Sequence, residues 1–218
     1  MALHGQIDQL LRDSRIWQAG RSSANACATC ARVATGWLAL DRALGGGWPL
    51  GQLTELLIDL HGVGELTLLL PALGRLTRQH DGQGAPAGWG ALIAPPYIPY
   101  APALRHAGVD LSRLLVVHAR QDMDTLWAME QALRSRTCAV VVGWLQAADD
   151  TSLRRLQLAA EASGSWAVLF RPSHLRATRS PAPLRIHLVQ HQDGGRLSLN
   201  ITRRRGGAPA MTGVDVSR

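Results

Sequence analysis

The sequence predicts an α/β fold, a mostly parallel twisted sheet flanked by helices that finishes in an antiparallel C-terminal hairpin. Three observations carry this expectation. Gln52 to Leu70 reads as a buried strand (Leu53, Leu56, Leu57, Ile58), a tight loop with Gly62 and Gly64, and a helix opening at Glu65 and running to about His80. Cys138 to Trp144 is a continuous apolar run, suited to the middle of a parallel sheet. Asp193-Gly194-Gly195 is a hairpin turn between two apolar strands, Ile186 to His191 and Leu197 to Thr202.

Taken in order, residues 5 to 19 place Ile7, Leu10, Leu11, Ile16 and Trp17 on an approximate helical stripe, and Gly20 to Ala31 forms a small polar linker. We read residues 1–31 as an N-terminal amphipathic helix and linker, 32–205 as the core domain, and 206–218 as a flexible tail. The helix would dock either on its own domain or on another protein through Leu10, Leu11, Ile16 and Trp17. Turn glycines crowd Ala34 to Gly51. Beyond a Gly-rich turn at Asp81 to Gly88, a strand at Ala91 to Ala94 runs into a proline-rich stretch, Pro95 to Pro102. A helix end, a turn and a further strand follow at Ala107 to Val116. Asp124 to Arg136 is an amphipathic helix, residues 151 to 163 are another, and Trp166 to Phe170 is a strand.

The formal charge is +7 and the pI near 10.8, which favours a polyanionic partner over an acidic-substrate enzyme. The chain contains no lysine, so every basic side chain is arginine and neither Schiff-base nor phosphate-loop lysine chemistry is open to it. Arginine remains well suited to bidentate phosphate contact. Cys27 and Cys30 have metal-ligand spacing, but no second pair completes a tetrahedral set, so no metal or cofactor is expected. Cys138 belongs in the core. The absence of a signal-like or membrane-spanning run predicts a cytoplasmic protein.

The layout at 52–70 is that of a phosphate-binding loop, where backbone N–H groups and a helix start converge on one anion. Its chemistry is missing. Superposed on G-x-x-x-x-G-K-[ST], the chain offers Asp59, Gly62, Gly64, Glu65 and Leu66, with glutamate for lysine and leucine for the magnesium-binding hydroxyl. Gly143-Trp144 ends the strand where an aspartate would hold magnesium beside such a loop. Asp149 and Asp150 read as a helix N-cap and first-turn carboxylate. Between Arg171 and Arg185 lie Arg176 and Arg179 and no acidic residue, a pattern for phosphate contact that competes with a plain solvated loop. Arg203, Arg204 and Arg205 add to the basic set.

Thr35 to Glu55, beginning Thr35-Gly36-Trp37-Leu38-Ala39-Leu40-Asp41 and passing through Gly45-Gly46-Gly47, resembles the entry to the ATPase core of RecA-type recombinases without a gap, and Ala107 to Val116 resembles a second RecA phrase. The resemblance implies a RecA-like, P-loop-type core in which the Arg171–Arg185 segment stands where a DNA-gripping loop belongs, and in which Pro95 and Pro96 fill the neighbourhood of the glutamate that would activate the attacking water, so that a general base is missing. Gly62 to Leu66, Ala94 to Pro102, Ala128 to Ser135 and Asp149 to Gln157 resemble the ImuA family of translesion-synthesis accessory proteins. That likeness implies SOS induction and association with an ImuB-type Y-family polymerase homologue, through it with an error-prone replicative-type polymerase and the sliding clamp, and contact with RecA itself. The missing ATPase groups predict a non-catalytic protein, the arginine-bearing segment predicts single-stranded DNA as a partner, and a second copy of the chain and a place at the nucleoid are further expectations. Two alternatives stay open: a SulA-type inhibitor binding the tubulin-like division protein, and a switch that holds ATP weakly without hydrolysing it.

Overall fold

The computed structural model describes residues 31–62, 64–78, 88–191, 196–205 and 210–215. Its strands are β1 (Arg32–Val33), β2 (Trp48–Pro49), β3 (Leu53–Ile58), β4 (Trp89–Ile93), β5 (Leu114–Val117), β6 (Cys138–Trp144), β7 (Trp166–Pro172), β8 (Leu184–Gln190), β9 (Arg196–Arg204) and β10 (Ala210–Asp215). Its helices are α1 (Leu38–Leu44), α2 (Leu70–Thr77), α3 (Ala101–His106), α4 (Asp122–Arg134) and α5 (Asp150–Ser163), with 3-10 turns at Leu111–Arg113 and Ser173–Ala177.

Eight strands form one mixed sheet in the order β10-β9-β8-β3-β7-β6-β4-β5. The pairs from β8 through β3, β7, β6 and β4 to β5 are parallel, and β8-β9 and β9-β10 are antiparallel. Parallel strands covered on both faces need no polar alternation, which is why β3 and β6 read as apolar runs. Successive side chains nonetheless go to opposite faces. Val140 and Val142 join Leu56, Trp166, Val168 and Phe170 in one core cluster, which takes in α1, α2 and Leu104 of α3. Val141 joins Leu53, Ala167, Leu169, Met129 and Leu153 beneath α4 and α5. Each fully buried leucine contributes roughly 1.5–3 kcal/mol through burial. Trp48 stacks on Trp166 with centroids 5.1 Å apart, fastening the small β1-β2 pair to the main sheet.

The elements expected within the described residues are present with shifted ends, and three differences have physical causes. First, the segment beyond residue 205 is not all tail, because Ala210 to Asp215 pair antiparallel with Arg196 to Ile201 as β10 and bury Val214. Second, α2 opens at Leu70 and not at Glu65: residues 65–69 are turns, and Pro71 in the first helical turn sets the helical φ. Third, β7 continues through Arg171 to Pro172, so the expected DNA-gripping segment begins inside the sheet. Asp149 does cap α5, accepting the Ser152 N–H at 2.8 Å, with Asp150 in the first turn. The N-terminal helix and linker, with Leu10, Leu11, Ile16, Trp17, Cys27 and Cys30, lie outside the described residues, as does the Asp193-Gly194-Gly195 turn. Among the described residues, no helix is long and apolar enough to cross a membrane.

Candidate functional site

The glycine loop leaves β3 at the carboxyl end of the central parallel strands, where open α/β sheets place ligands. Here the loop closes on itself. Glu65 is 4% exposed and its Oε1 accepts the Gly62 backbone N–H at 2.8 Å. A carboxylate from the chain therefore holds an N–H group that the phosphate pattern would aim at a bound anion. Leu66 packs against the core, and Leu68 N–H reaches Gly64 O in the turn that precedes α2. Asp59 points elsewhere: it accepts the Ser173 hydroxyl, and its Oδ2 is 3.7 Å from His187 Nε2.

Beside this loop, Pro95 to Tyr100 form one wall of a cleft of about 230 Å³ whose floor includes Glu65 and Trp144. Tyr97, Ile98 and Tyr100 are exposed, and the Tyr97 ring comes within 3.2 Å of where a Gly62 Cβ would stand. The Trp144 indole N–H is buried without an acceptor among the described residues, while its ring stacks on Phe170 at 5.1 Å. A Cβ on Gly143 would lie 2.2 Å from Met129 Sδ, so the close seat of α4 on β6 leaves no room there for a carboxylate side chain. The cleft is an aromatic and proline surface with a single carboxylate already engaged. Among the described residues, no three His, Cys, Asp or Glu side chains gather as a metal site.

The arginines expected to grip DNA divide into two groups. Arg171 and Arg185 are 3% and 6% exposed, and both pair with Glu55, itself fully buried. Arg171 Nη1 donates to Oε1 at 2.7 Å and Arg185 Nε to Oε2 at 2.6 Å. Register explains the arrangement: Arg185 on β8 lies opposite Glu55 on β3, and Arg171 on β7 lies opposite Leu57, one same-face position further along. Arg185 also donates to the carbonyls of Leu175, Arg176 and Thr178. These two side chains stitch three strands and shape the 173–178 turn, so they do not face a phosphate backbone. This corrects the expectation for both. Buried arginine is tolerated only when paired, and Glu55 supplies the pair.

Arg176 and Arg179 are exposed on that turn and the segment after it. Arg203 donates to Ser180 O and Arg204 to Ala43 O, whereas Arg205 is exposed. Of the basic residues singled out along the sequence, Arg171 and Arg185 are thus interior, while Arg176, Arg179, Arg203 and Arg205 are exposed. Glu55 was missed because its strand reads as apolar. Its signal is a lone charge in a six-residue run whose other members are all uncharged, which in a central strand demands a buried partner. Cys138 is buried as expected, and burial pushes its thiol above the usual range.

Comparison with known proteins gives two likenesses. Residues 52–167, more than half of the chain, match the family model described as cell division inhibitor SulA. The chain is 35% identical over 143 residues to protein ImuA of Caulobacter vibrioides, covering 63% of this chain and 56% of that protein. It is 30% identical over 118 residues to the cell division inhibitor SulA of Edwardsiella piscicida, covering 54% of this chain and 67% of that protein. With SulA of Pseudomonas aeruginosa it shares 34% identity over 96 residues, 44% of this chain and 56% of that protein. The chain therefore spans little more than half the length of the ImuA relatives it matches, and the resemblance to ImuA drawn from the sequence holds.

Proposed function

We propose, from the premise that this chain belongs to the SulA cell division inhibitor family, that it is a non-catalytic accessory protein of the DNA-damage response, acting in translesion synthesis. The observation that carries the reading is Glu65 seated on the Gly62 N–H inside a chain that resembles ImuA. In this reading the core is RecA-like and its phosphate loop is retired, because the one anion the loop can hold is its own side chain. The lysine, magnesium hydroxyl and strand-end aspartate of an ATPase are each replaced, and loss of any one costs orders of magnitude in rate. The working surfaces are then those around the loop. They would engage an ImuB-type polymerase homologue, and through it an error-prone polymerase and the sliding clamp, with RecA, a second copy of this chain and single-stranded DNA as further partners. The N-terminal residues Leu10, Leu11, Ile16 and Trp17 are the proposed partner contact. SOS induction and a place at the nucleoid belong to the same proposal.

The family model favours a second reading, inhibition of cell division through the tubulin-like division protein. Affinity capture from DNA-damaged cells separates the two. Recovery of an ImuB-type protein, with no effect on polymerisation of the division protein, is the expected result. Inhibition of that polymerisation without an ImuB-type partner would replace the first reading by the second. Titration with ATP and Mg²⁺ should release no heat, and removal of residues 1–20 should abolish partner capture.

A further inference from the structure

At the opposite end of the sheet from the glycine loop, the amino ends of β4, β6 and β7 and the carboxyl ends of α2, α4 and α5 surround a cleft of about 640 Å³. Five arginines line it, Arg32, Arg75, Arg78, Arg113 and Arg136, and among the described residues no aspartate or glutamate does. Arg32 also lines an adjoining recess with Arg204 and Arg205, again without a carboxylate among the described residues, so the positive strip continues past the cleft.

A plainer role for these arginines is to neutralise helix carboxyl ends. Three helix ends carry roughly −0.5 charge each, about −1.5 together. Asp110, whose Oδ2 is 3.8 Å from Arg113, removes one more charge. With Arg32 and the Arg113–Asp110 pair set aside, Arg75, Arg78 and Arg136 bring three positive charges to these three helix ends, and about half of that charge remains. Among the described residues Arg78 donates its Nε to Gly108 O, at 2.6 Å, and makes no ion pair. Arg75 and Arg136 are exposed and have no acidic partner among the described residues. Arg136 has a φ of 57°, in the left-handed region that L side chains rarely adopt, so its position at the rim is held against local strain. Trp89, 37% exposed, stands in the same lining and adds an aromatic side chain to it.

We propose that this cleft binds single-stranded nucleic acid, the arginines holding successive phosphates and Trp89 stacking a base. Arginines spaced along a groove with an interleaved aromatic are the combination that single-strand binding uses, whereas a lone phosphate needs only one or two of them. The inference rests on the proposed function for its choice of single-stranded DNA as the polyanion, and it moves that contact away from the Arg171–Arg185 segment.

The test is fluorescence anisotropy of the full-length chain with a labelled oligothymidine of about 16 nucleotides, read between about 50 and 200 mM salt. The double variant Arg75→Gln, Arg136→Gly removes two cations, and glycine relaxes the backbone at residue 136, so the variant remains folded. It should bind roughly ten- to thirtyfold more weakly near 0.1 M salt, with a salt slope flatter by about 1.4. Trp89→Ala should lose about five- to a hundredfold through stacking. Arg176→Ala with Arg179→Ala, outside the cleft, should bind as the parent does. No binding by the parent chain, or unchanged binding by the cleft variant, overturns the inference. Capture of the ImuB-type partner on the same preparations keeps the two failures apart: partner without DNA binding sinks only the cleft, and cleft-dependent DNA binding without partner sinks only the mutasome reading.

Discussion

The carboxylate of Glu65 accepts the backbone N–H of Gly62 at 2.8 Å, so the loop that follows the central strand is closed by a charge of its own. In the proposed reading this bond is structural and leaves no vacancy for a nucleotide. Glu65→Ala should lower unfolding stability by about 1–3 kcal/mol in urea titration, because a charge-assisted bond to a nearly buried carboxylate is lost. Glu65→Lys, which rewrites the phosphate-loop lysine, should be no better and should not confer ATP binding, since Leu66 and Gly143 still supply no magnesium ligand. Heat of ATP binding in the Lys variant would show that the loop was blocked only by Glu65.

Glu55 carries a different load. Glu55→Ala leaves two buried guanidinium groups uncompensated and should cost about 3–5 kcal/mol. A triple variant, Glu55→Leu with Arg171→Met and Arg185→Met, removes all three charges together and should recover most of that loss in the same denaturation assay. Equal stability of the single and triple variants would mean that the ion pairs do not account for the effect.

Arg185 also holds the turn that bears Arg176. Arg185→Met forfeits its bonds to Leu175, Arg176 and Thr178 carbonyls, so trypsin should cleave after Arg176 or Arg179 severalfold faster than in the parent. Mass spectrometry of the first fragments reads the outcome, and an unchanged first cleavage site at an unchanged rate would contradict it.

Two glycines should respond in opposite degree to alanine. Gly47 has a φ of 124°, and a Cβ there would come 2.2 Å from Val33 O, backbone that cannot swing aside. Gly47→Ala should therefore cost more than 3 kcal/mol and release the β1-β2 pair. Gly164 ends α5 at a φ of 73° with open space around it, so Gly164→Ala should cost about 1–2 kcal/mol from conformation alone. Thermal melts of the two variants give the comparison.

The cap of α5 titrates. Ser152, through its side chain and then its backbone N–H, holds the Asp149 carboxyl below the usual carboxylate range. A lowered folded-state pKa means that the contribution is fully present above the ordinary aspartate value and is lost as pH falls through the folded one. Asp149→Ala should thus lower Tm at neutral pH, with the gap from the parent closing at strongly acidic pH. Asp149→Asn, which keeps a capping oxygen, should retain more of the parent's Tm at neutral pH.

By itself the sequence determined the α/β class, the apolar central strands, the glycine loop with its displaced chemistry, the Asp149 cap and the likeness to ImuA. Each is written in contiguous residues, through periodicity, spacing or an ungapped phrase. Only the tertiary structure decided what the charges do. Arg171 and Arg185 look like surface cations in a Ser/Pro-rich stretch, and they are interior because parallel pairing on either side of β3 brings Glu55 beside them. Arg32, Arg75, Arg78, Arg113 and Arg136 are scattered over a hundred residues, and they meet because strand starts and helix ends share one edge of the sheet. A local pattern cannot report which side chains long-range pairing will place together, and electrostatic fate depends on that placement.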